Sequence, residues 1–433
     1  MLKCSNVKMK FMLDIKFIRQ NTDKVKKGCK DKQVNIDIDK FLILEEEKRK
    51  YLKDVEFLRA EQNRISDQIS KETVPDKRNE EISKAQKIRD ELRNSEKILK
   101  GINLEYKRLM LQFPNLPLES VPVGKDEKDN IVLKEVGKKP KFDFFPKDYL
   151  LLAENLDLID VKRAAKVSGS RFGYLKNEAV LLEFSIINFI FDNLIKKGFV
   201  PILPPVMIKA EMMEKMGYLA KEEEKERYFI ERDNLCLIGT AEQSVGPMHT
   251  NEVFKEQELP KRYLGFSTCF RREAGSYGKD TRGILRVHQF DKIELFSFCK
   301  PKNSEKEHQF FLRLEEELMK KLVLPYRVIQ ICTGDMAFPT ANQYDIETWM
   351  SSQKRYRETH STSNCTDFQA RRLNIRYKDE DNKLNFVHMV NGTAFAIGRI
   401  LIGIFENYQQ KDGSIKIPKV LQKYIGKDVI KRT

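Results

Sequence analysis

The amino-acid sequence predicts an α+β fold, in which an N-terminal antiparallel helical hairpin precedes a larger domain built on an antiparallel β-sheet flanked by helices. Residues 41–113 carry apolar side chains at alternating spacings of three and four, which is typical of helices with one buried seam. Beyond residue 116, helical patterns mix with short strand-like runs. Because strands and helices do not alternate regularly there, we expect an antiparallel sheet and not a doubly wound one.

The helical hairpin is predicted from two apolar series of similar length. A break at residues 73–76 separates them, because Pro75 lacks an N–H group and disfavours helix in the residue before it. At about 1.5 Å per residue, each arm would be roughly 45 Å long. Lys48, Gln62 and Ser95 occupy seam positions, so we expect a coiled coil of modest stability. The apolar seam positions are Leu44, Tyr51, Val55, Leu58, Ile65, Ile69, Ala85, Ile88, Leu92, Leu99, Ile102, Tyr106, Leu109 and Phe113.

The boundary between the two domains is predicted just after the second arm. Residues 113–117 contain two prolines that end the helix, and a charged loop follows at 124–129. We therefore expect a coiled-coil arm at 1–115 and a second domain at 116–433. The expected elements of the second domain include a helix at 178–197 and strands at 228–230, 235–238, 326–331 and 386–390.

The formal net charge of +15 favours a polyanionic partner, of which nucleic acid is the first candidate. A generally lysine-rich composition explains the same charge equally well. The charges of the hairpin nearly balance, so an RNA contact there would come from one basic face, and an ordinary solvated face is the alternative. The candidate side chains are Arg59, Arg64, Arg89, Arg93 and Lys97.

Cysteine spacing and hydropathy indicate a cytoplasmic protein. The seven cysteines form no CxxC pair, which argues against a zinc ribbon and a disulfide framework and favours a reducing cytoplasm. No apolar run reaches the roughly 18 residues needed to span a bilayer, and the N-terminus has no clear signal peptide. We therefore expect no membrane association. A phosphate-binding P-loop motif is also absent, so a nucleotide site would need another design.

The most informative stretch is residues 269–294, which reads as a hairpin with a polar, glycine-rich loop. Strand alternation would place Arg271 and Glu273 on one face of the first strand, and Phe290 and Glu294 on one face of the second. Such a face suits a nucleotide, because a guanidinium binds phosphate, a carboxylate accepts from an exocyclic amine and a ring stacks on a base. A salt-bridged surface hairpin is the alternative.

Three segments resemble the motifs of class II aminoacyl-tRNA synthetases. The pattern F-R-R-E at 270–273, the loop R-E-A-G-S-Y-G-K-D-T-R-G and the closing R-V-H-Q-F resemble motif 2, and the loop resembles that of seryl-tRNA synthetases in particular. Residues 198–205 are similar to motif 1, which implies a homodimer with its interface in this region. Residues 391–399 are similar to motif 3, in which a glycine-permitted turn would put Arg399 at the start of a buried helix facing the ATP tail.

This resemblance implies a class II catalytic domain with sites for ATP and L-serine, and Arg271 and Arg399 as the catalytic cations. A site that hydrogen-bonds the hydroxyl of serine would reject alanine strongly. The implied ATP-binding residues are Arg271, Arg272, Glu273, Val287, Phe290, Glu358, Thr359, His360, Ser361 and Arg399. The implied serine-binding residues are Thr240, Ala241, Glu242, Arg271, Glu294, Asn391 and Thr393.

The segment 357–364 is similar to the family's metal-and-ATP segment and implies Mg²⁺ bound by Glu358 and Ser361, since oxygen ligands suit a hard cation. The chain reads S-T-S-N where the family commonly has S-C-S-N, a change that keeps both ligands. A second departure is Tyr149, where the family often has histidine. We expect that difference to concern packing at the domain junction more than chemistry.

The resemblance covers nearly the whole chain and begins at residue 12. Residues 12–21 are similar to the usual start of the family, so residues 1–11 are either an extension or the result of a start codon misassigned to Met1 instead of Met12. The hairpin corresponds to the arm that grips the long variable arm of tRNA(Ser) by shape and backbone. The implied activity is formation of seryl-adenylate from ATP and transfer of serine to tRNA(Ser). Charging of tRNA(Sec) stays open.

Two alternative functions fit the sequence less well. A relative that charges a carrier protein would lack the long arm and use a zinc site, so the hairpin and the scattered cysteines argue against it. A non-catalytic RNA-binding paralogue would not need intact Arg271, Glu273, Glu358 and Arg399, all of which are present. Adenylate formation needs no protein nucleophile, so we expect catalysis by positioning and charge neutralisation without a Ser/His/Asp triad.

Overall fold

The computed structural model describes residues 14–219, 224–274, 280 and 282–432. The expectations about the chain start at Met12 and about loop residues 275–279 and 281 lie outside these residues. The described chain falls into two compact units. One consists of Asp14–Lys30 and Val34–Pro114, and the other of Asp31–Gln33 and the chain from Asn115 onward.

The helices of the described residues are concentrated in the first 110 residues and on the faces of the sheets. They are α1 (Ile15–Gln20), α2 (Thr22–Asp31), α3 (Ile38–Lys71), α4 (Pro75–Met110), α5 (Tyr149–Asn155), α6 (Val161–Ser168), α7 (Glu178–Leu194), α8 (Ala210–Met216), α9 (Glu242–Val245), α10 (Ser304–Leu322), α11 (Phe368–Leu373), α12 (Ile397–Tyr408) and α13 (Lys419–Ile425). Within the described residues, no helix is both long and apolar enough to cross a membrane.

In the described part of the chain, the strands all lie after residue 130. They are β1 (Ile131–Val136), β2 (Ile159–Asp160), β3 (Tyr174–Leu175), β4 (Val200–Ile202), β5 (Met207–Lys209), β6 (Phe229–Ile230), β7 (Leu235–Leu237), β8 (Val253–Lys255), β9 (Lys261–Phe270), β10 (Gln289–Cys299), β11 (Tyr326–Gln330), β12 (Asn342–Met350), β13 (Arg355–Asn364), β14 (Arg376–Lys378), β15 (Leu384–Phe386), β16 (His388–Ala396), β17 (Ile415–Lys416) and β18 (Val429–Ile430).

The predicted helical hairpin is confirmed as α3 and α4, which have 34 and 36 residues. Pro75 is the first residue of α4, a position where its missing N–H costs nothing. Val55 and Ile65 of α3 are almost fully buried in the seam, as is Leu92 of α4. The alternating apolar spacing therefore identified the contact face of both helices.

The polar seam position Lys48 is accommodated by an aromatic ring. Its Nζ lies 3.7 Å from the centroid of the Tyr106 ring, within the range of a cation–π contact. Burial lowers the pKa of Lys48, although the nearby Glu45 carboxylate acts in the opposite direction. The seam is thus interrupted by a partly buried charge that is stabilised by the Tyr106 ring and Glu45.

The second unit is built on an eight-stranded sheet with the order β1-β11-β12-β13-β16-β10-β9-β4. Its neighbouring strands are antiparallel except β4, which pairs with β9 in parallel. The predicted antiparallel sheet flanked by helices is therefore confirmed. The predicted strand at 386–390 is wrong in its bounds, because β15 ends at Phe386 and β16 begins at His388.

One continuous apolar core lies between this sheet and helices α7, α10 and α12. Phe311 of α10 and Ile400 and Phe405 of α12 are fully buried in it. Gly392 in β16 makes the close packing of α10 possible, since a Cβ there would lie 2.6 Å from Oε1 of Glu315. The polar residues of the central strands are left to line a cavity.

Candidate functional site

A polar cavity of about 440 Å³ lies over β10, β13 and β16. Most of the side chains that the sequence assigned to ATP and serine meet there, although they come from segments up to 159 positions apart (399 − 240 = 159). The predicted residues that line the cavity are Thr240, Glu242, Arg271, Glu273, Val287, Phe290, Glu294, Glu358, Thr359, Ser361, Asn391, Thr393 and Arg399.

Three predicted binding residues do not line the cavity. Arg272 is exposed, and its guanidinium lies 5.5 Å from the centroid of the Tyr228 ring. His360 is buried against the Phe395 ring, with Nδ1 2.8 Å from Oγ1 of Thr359. Ala241 is fully buried. Direct ligand contacts by these three side chains stay predictions that the geometry does not favour.

The predicted hairpin at 269–294 is formed by β9 and β10. The expectation that Arg271 and Glu273 lie on its first strand is wrong, because β9 ends at Phe270 and Glu273 has a positive φ of 53°. Arg271 is held instead by a hydrogen bond from its Nε to the carbonyl of Gly239, at 3.2 Å. Its guanidinium lies 5.3 Å from the centroid of Phe290, so cation and ring do face the same space.

Arg399 and Glu358 form the second charged element of the cavity. The guanidinium nitrogen Nη1 of Arg399 lies 3.1 Å from Oε2 of Glu358 and donates a hydrogen bond to the Glu358 carbonyl at 2.9 Å. Burial acts to raise the pKa of Glu358, but the guanidinium groups of Arg399 and Arg271 outweigh it, and the net pKa lies below the ordinary value. Glu358 is therefore ionised at neutral pH.

The glycine-permitted turn expected before Arg399 is not present. β16 runs directly into α12 at Ile397, and Arg399 is the third residue of that helix. Gly392 lies within β16, where it serves the packing of α10, and Gly398 lines the cavity. Arg399 does lie in the first turn of a buried helix, as expected, but β16 leads into this helix without a turn.

A bulge in β13 brings Glu358 and Ser361 to the same face of the sheet. Residues three apart on a regular strand point to opposite faces. Here Glu358 pairs with Glu347 and His360 with Ile346, so Thr359 is an extra residue in β13. The insertion lets Glu358, Ser361 and Ser363 all line the cavity while Thr362 packs behind the strand.

Two carboxylates and one lysine also line the cavity. Tyr218 and Gln369 donate to the two oxygens of Glu242 at 2.8 and 2.9 Å. Burial, together with the neighbouring Glu294 carboxylate, raises the pKa of Glu242 to about 7. The ammonium of Lys292 lies 2.6 Å from Oε2 of Glu294. A small zwitterion with a hydroxyl would find complementary groups here.

Sequence reasoning did not single out Lys292, Tyr218 or Gln343, which also line the cavity. Lys292 could have been found from strand alternation, since it lies two residues from both Phe290 and Glu294. Lys32 was also missed. Its Nζ donates to the carbonyls of Ala337, Phe338 and Thr340 at 2.7, 3.1 and 2.8 Å and so fixes a loop of the cavity wall. No local pattern identifies that contact, because it joins residues about 305 positions apart.

Tyr149 lies beside the cavity wall, contrary to the expectation that it concerns packing at the domain junction. Its hydroxyl accepts a hydrogen bond from the Ile284 N–H at 2.9 Å. Ile284 belongs to the part of the predicted motif 2 loop that lines the cavity. The departure from the family pattern therefore touches the candidate site.

The side chains around Ser361 fit a hard cation that also binds phosphate. Glu358 offers a carboxylate, and Ser361 offers a hydroxyl on the same face. Gln343 donates from Nε2 to Ser361 Oγ at 3.1 Å and to Asp345 Oδ1 at 3.0 Å, which fixes the hydroxyl. Among the described residues, no three His, Cys, Asp or Glu side chains converge as a metal site. Such a limited protein contribution is typical of Mg²⁺, which keeps water and substrate oxygens as ligands.

The arm carries a separate basic groove. Arg59, Arg89 and Arg93 line it with Gln62 and Asn63. Arg59 also pairs with Glu96 at 2.7 Å. Of the predicted basic face, Arg64 and Lys97 do not line this groove, and Arg64 pairs with Glu61 at 2.6 Å.

Two family models match the chain. The seryl-tRNA synthetase N-terminal domain matches residues 12–117. The class II tRNA synthetase core domain of the G, H, P, S and T enzymes matches residues 226–408. The first match contains the helical hairpin, and the second contains most of the residues that line the cavity.

Individual relatives agree with these matches over nearly the full length. The chain is 44% identical over 418 residues to the serine–tRNA ligase of Dictyoglomus turgidum, covering 96% of this chain and 98% of that protein. It is 45% identical to that of Dictyoglomus thermophilum, covering 97% and 99%. The structure of seryl-tRNA synthetase from Pyrococcus horikoshii complexed with ATP has a TM-score of 0.89 and 40% identity, covering 98% of this chain and 100% of that one. The chain belongs to the seryl-tRNA synthetase family.

Proposed function

We propose that the chain activates L-serine with ATP, forming seryl-adenylate and pyrophosphate, and then transfers serine to tRNA(Ser). The observation that carries this proposal is the presence of two kinds of binding group in one cavity. Arg271, Phe290 and Arg399 suit a nucleotide, and Glu242 and Glu294 suit a hydroxy amino acid. The ATP complex of the P. horikoshii relative supports ATP as the nucleotide.

The first step requires the protein to position serine and ATP, and it needs no covalent bond to a protein side chain. The carboxylate of serine attacks the α-phosphorus of ATP in line, and pyrophosphate leaves. We assign Phe290 to stack on the adenine, and Arg271 and Arg399 to balance the charge that develops on the phosphate oxygens. Arg399 is held ready for this by its ion pair with Glu358.

Glu358 and Ser361 are the proposed ligands of Mg²⁺. When bound, the cation would neutralise phosphate charge and help to orient the leaving group. Gln343 holds the Ser361 hydroxyl, and Arg399 holds the Glu358 carboxylate. Both ligands are thus fixed by neighbouring side chains.

The activity is tested by ATP/pyrophosphate exchange with serine, threonine, alanine and glycine, followed by transfer to tRNA(Ser). We expect serine-dependent exchange, with alanine disfavoured about 10⁴-fold because it leaves buried polar groups unpaired. Transfer to tRNA(Sec) is measured in the same assay. Exchange without transfer to tRNA, but with transfer to a carrier protein, would favour the carrier-charging alternative. Absence of exchange would favour the non-catalytic paralogue.

The pH dependence of serine use is predicted from Glu242. Its pKa of about 7 means that the carboxyl is largely protonated at pH 6 and largely ionised at pH 8. Only the ionised form attracts the ammonium of serine. We expect kcat/KM for serine to rise up to about tenfold between roughly pH 6 and pH 8, as measured by initial exchange rates.

The control for this prediction is Glu242→Gln, which cannot ionise. Its activity should be lower and its profile flat across the same pH range. A wild-type profile that is already flat would contradict the assignment of Glu242 as the titrating group.

We propose two macromolecular partners, a tRNA and a second copy of the chain. We propose residues 1–115 as the tRNA-binding arm and 116–433 as the catalytic domain, with the groove of Arg59, Arg89 and Arg93 as the phosphate-binding surface of the arm. We also propose a homodimer that forms through the region of residues 198–205. The exposed apolar side chains of Phe184 on α7 and Leu203 after β4 support such an interface.

The proposed compartment is the cytoplasm. The thiols of Cys236, Cys269, Cys299 and Cys365 are buried, and burial raises the pKa of each of them. Thiols in this state are unreactive and suit a reducing environment.

A further inference from the structure

The hydroxyl of Tyr149 joins the start of α5 to the wall of the cavity. Tyr149 is 4% exposed, and its ring belongs to the main apolar core. Its oxygen accepts from the Ile284 N–H at 2.9 Å and donates to the Arg282 carbonyl at 3.4 Å. One phenol therefore satisfies two backbone groups of a segment outside any helix or strand.

The segment held in this way lines the candidate ATP site. Ile284, Leu285, Arg286 and Val287 all face the cavity. A guanidinium nitrogen of Arg286 also lies 3.6 Å from Oε2 of Glu273, a residue that the sequence assigned to ATP binding. A shift of the backbone at Ile284 would move all four side chains together.

Gly283 shows that the phenol and this backbone are fitted to each other. Its φ of +77° is in the region that favours glycine. A Cβ at this position would lie 1.9 Å from the Tyr149 oxygen and 2.7 Å from the ring carbon that bears it. No side chain is compatible with this approach, so the contact depends on both residues.

We propose that Tyr149 is a positioning residue, whose hydroxyl fixes residues 283–287 as the wall that receives the nucleotide. This inference rests on the proposed function, since the ligand positioned is ATP. Tyr149 does not line the cavity itself and acts through Ile284 and its neighbours. Its loss should weaken ATP binding and leave serine binding nearly unchanged.

The test compares Tyr149→Phe with wild type and with Tyr408→Phe. Tyr408 is the matched control, because its hydroxyl donates to the Leu322 carbonyl at 2.7 Å and it does not line the cavity. We expect KM for ATP to rise about fivefold in Tyr149→Phe, the effect of one lost hydrogen bond, with kcat and KM for serine within about twofold. Tyr408→Phe should keep all three kinetic constants.

Hydrogen exchange of the free protein is the second measurement. The Ile284 amide should exchange about fivefold faster in Tyr149→Phe than in wild type, and the Leu322 region should not change. Gly283→Ala should also raise KM for ATP, because the new methyl group displaces the phenol.

The proposal is overturned if Tyr149→Phe leaves both KM for ATP and Ile284 exchange unchanged. It is also overturned if Tyr149→Phe and Tyr408→Phe lower the melting temperature and the activity alike, since that result indicates general stabilisation. Failure of the proposed function gives a different result, because the wild type then shows no serine-dependent exchange. In that case the positioning role of Tyr149 is tested by comparing Ile284 amide exchange and ATP-induced thermal stabilisation between wild type and Tyr149→Phe.

Discussion

Arg271→Ala is expected to lower kcat/KM in serine-dependent ATP/pyrophosphate exchange by about a thousandfold, because one preorganised charged donor contributes that much to transition-state stabilisation. Arg271 reaches the cavity from just beyond the end of β9, where the Gly239 carbonyl orients its Nε. Alanine removes the cation and the orientation together. Initial exchange rates at several ATP and serine concentrations give kcat and KM separately.

Arg371→Ala is a matched control for this substitution. Arg371 is similarly half-buried, pairs with Asp367 at 2.7 Å and does not line the cavity. We expect it to change kcat/KM less than about threefold, because the ion pair of Arg371 with Asp367 lies outside the cavity. A loss in Arg371→Ala as large as that in Arg271→Ala would attribute both effects to damage of the fold.

Glu358→Gln is expected to have the second-largest effect, a loss of a hundredfold or more in the exchange rate with a higher Mg²⁺ concentration for half-maximal activity. The amide keeps the shape of the side chain but removes its charge. Arg399 then loses the partner at 3.1 Å that holds it, and the cation loses its carboxylate ligand. Exchange rates measured across a Mg²⁺ titration separate the two consequences.

Glu347→Gln provides the comparison for Glu358→Gln. Glu347 lies directly opposite Glu358 on β12, but its carboxylate pairs with Arg327 and it does not line the cavity. Its substitution should leave the Mg²⁺ requirement unchanged. An unchanged requirement in Glu358→Gln as well would contradict Glu358 as a metal ligand.

The spacing of apolar residues and the position of proline predicted the helical arm, whose structure depends on contacts between neighbouring segments of the chain. The arm depends on contacts between two helices adjacent in sequence, so apolar spacing and Pro75 were sufficient to place it. Sheet order was not predictable in this way. It depends on pairings such as β1 with β11, which are almost two hundred residues apart (326 − 131 = 195).

The residues of the candidate site also differ in how well the sequence predicted them. Arg271, Phe290 and Arg399 were assigned from motifs and do meet in the cavity. The contacts of Lys32 and Tyr149 with distant backbone groups could not be predicted, because their partners come from other parts of the chain. Arg272 and His360 were assigned by their place in a motif, but Arg272 lies beyond the end of β9 against the Tyr228 ring, and His360 packs against the Phe395 ring.

The extra residue in β13 makes the length of this strand as important as its composition. Deleting Thr359 would restore strict alternation and exchange the two sides of everything that follows it. Ser361 and Ser363 would then turn towards the apolar helical layer, and His360 and Thr362 towards the cavity. Single-residue insertions and deletions in this strand should therefore be far less tolerated than substitutions.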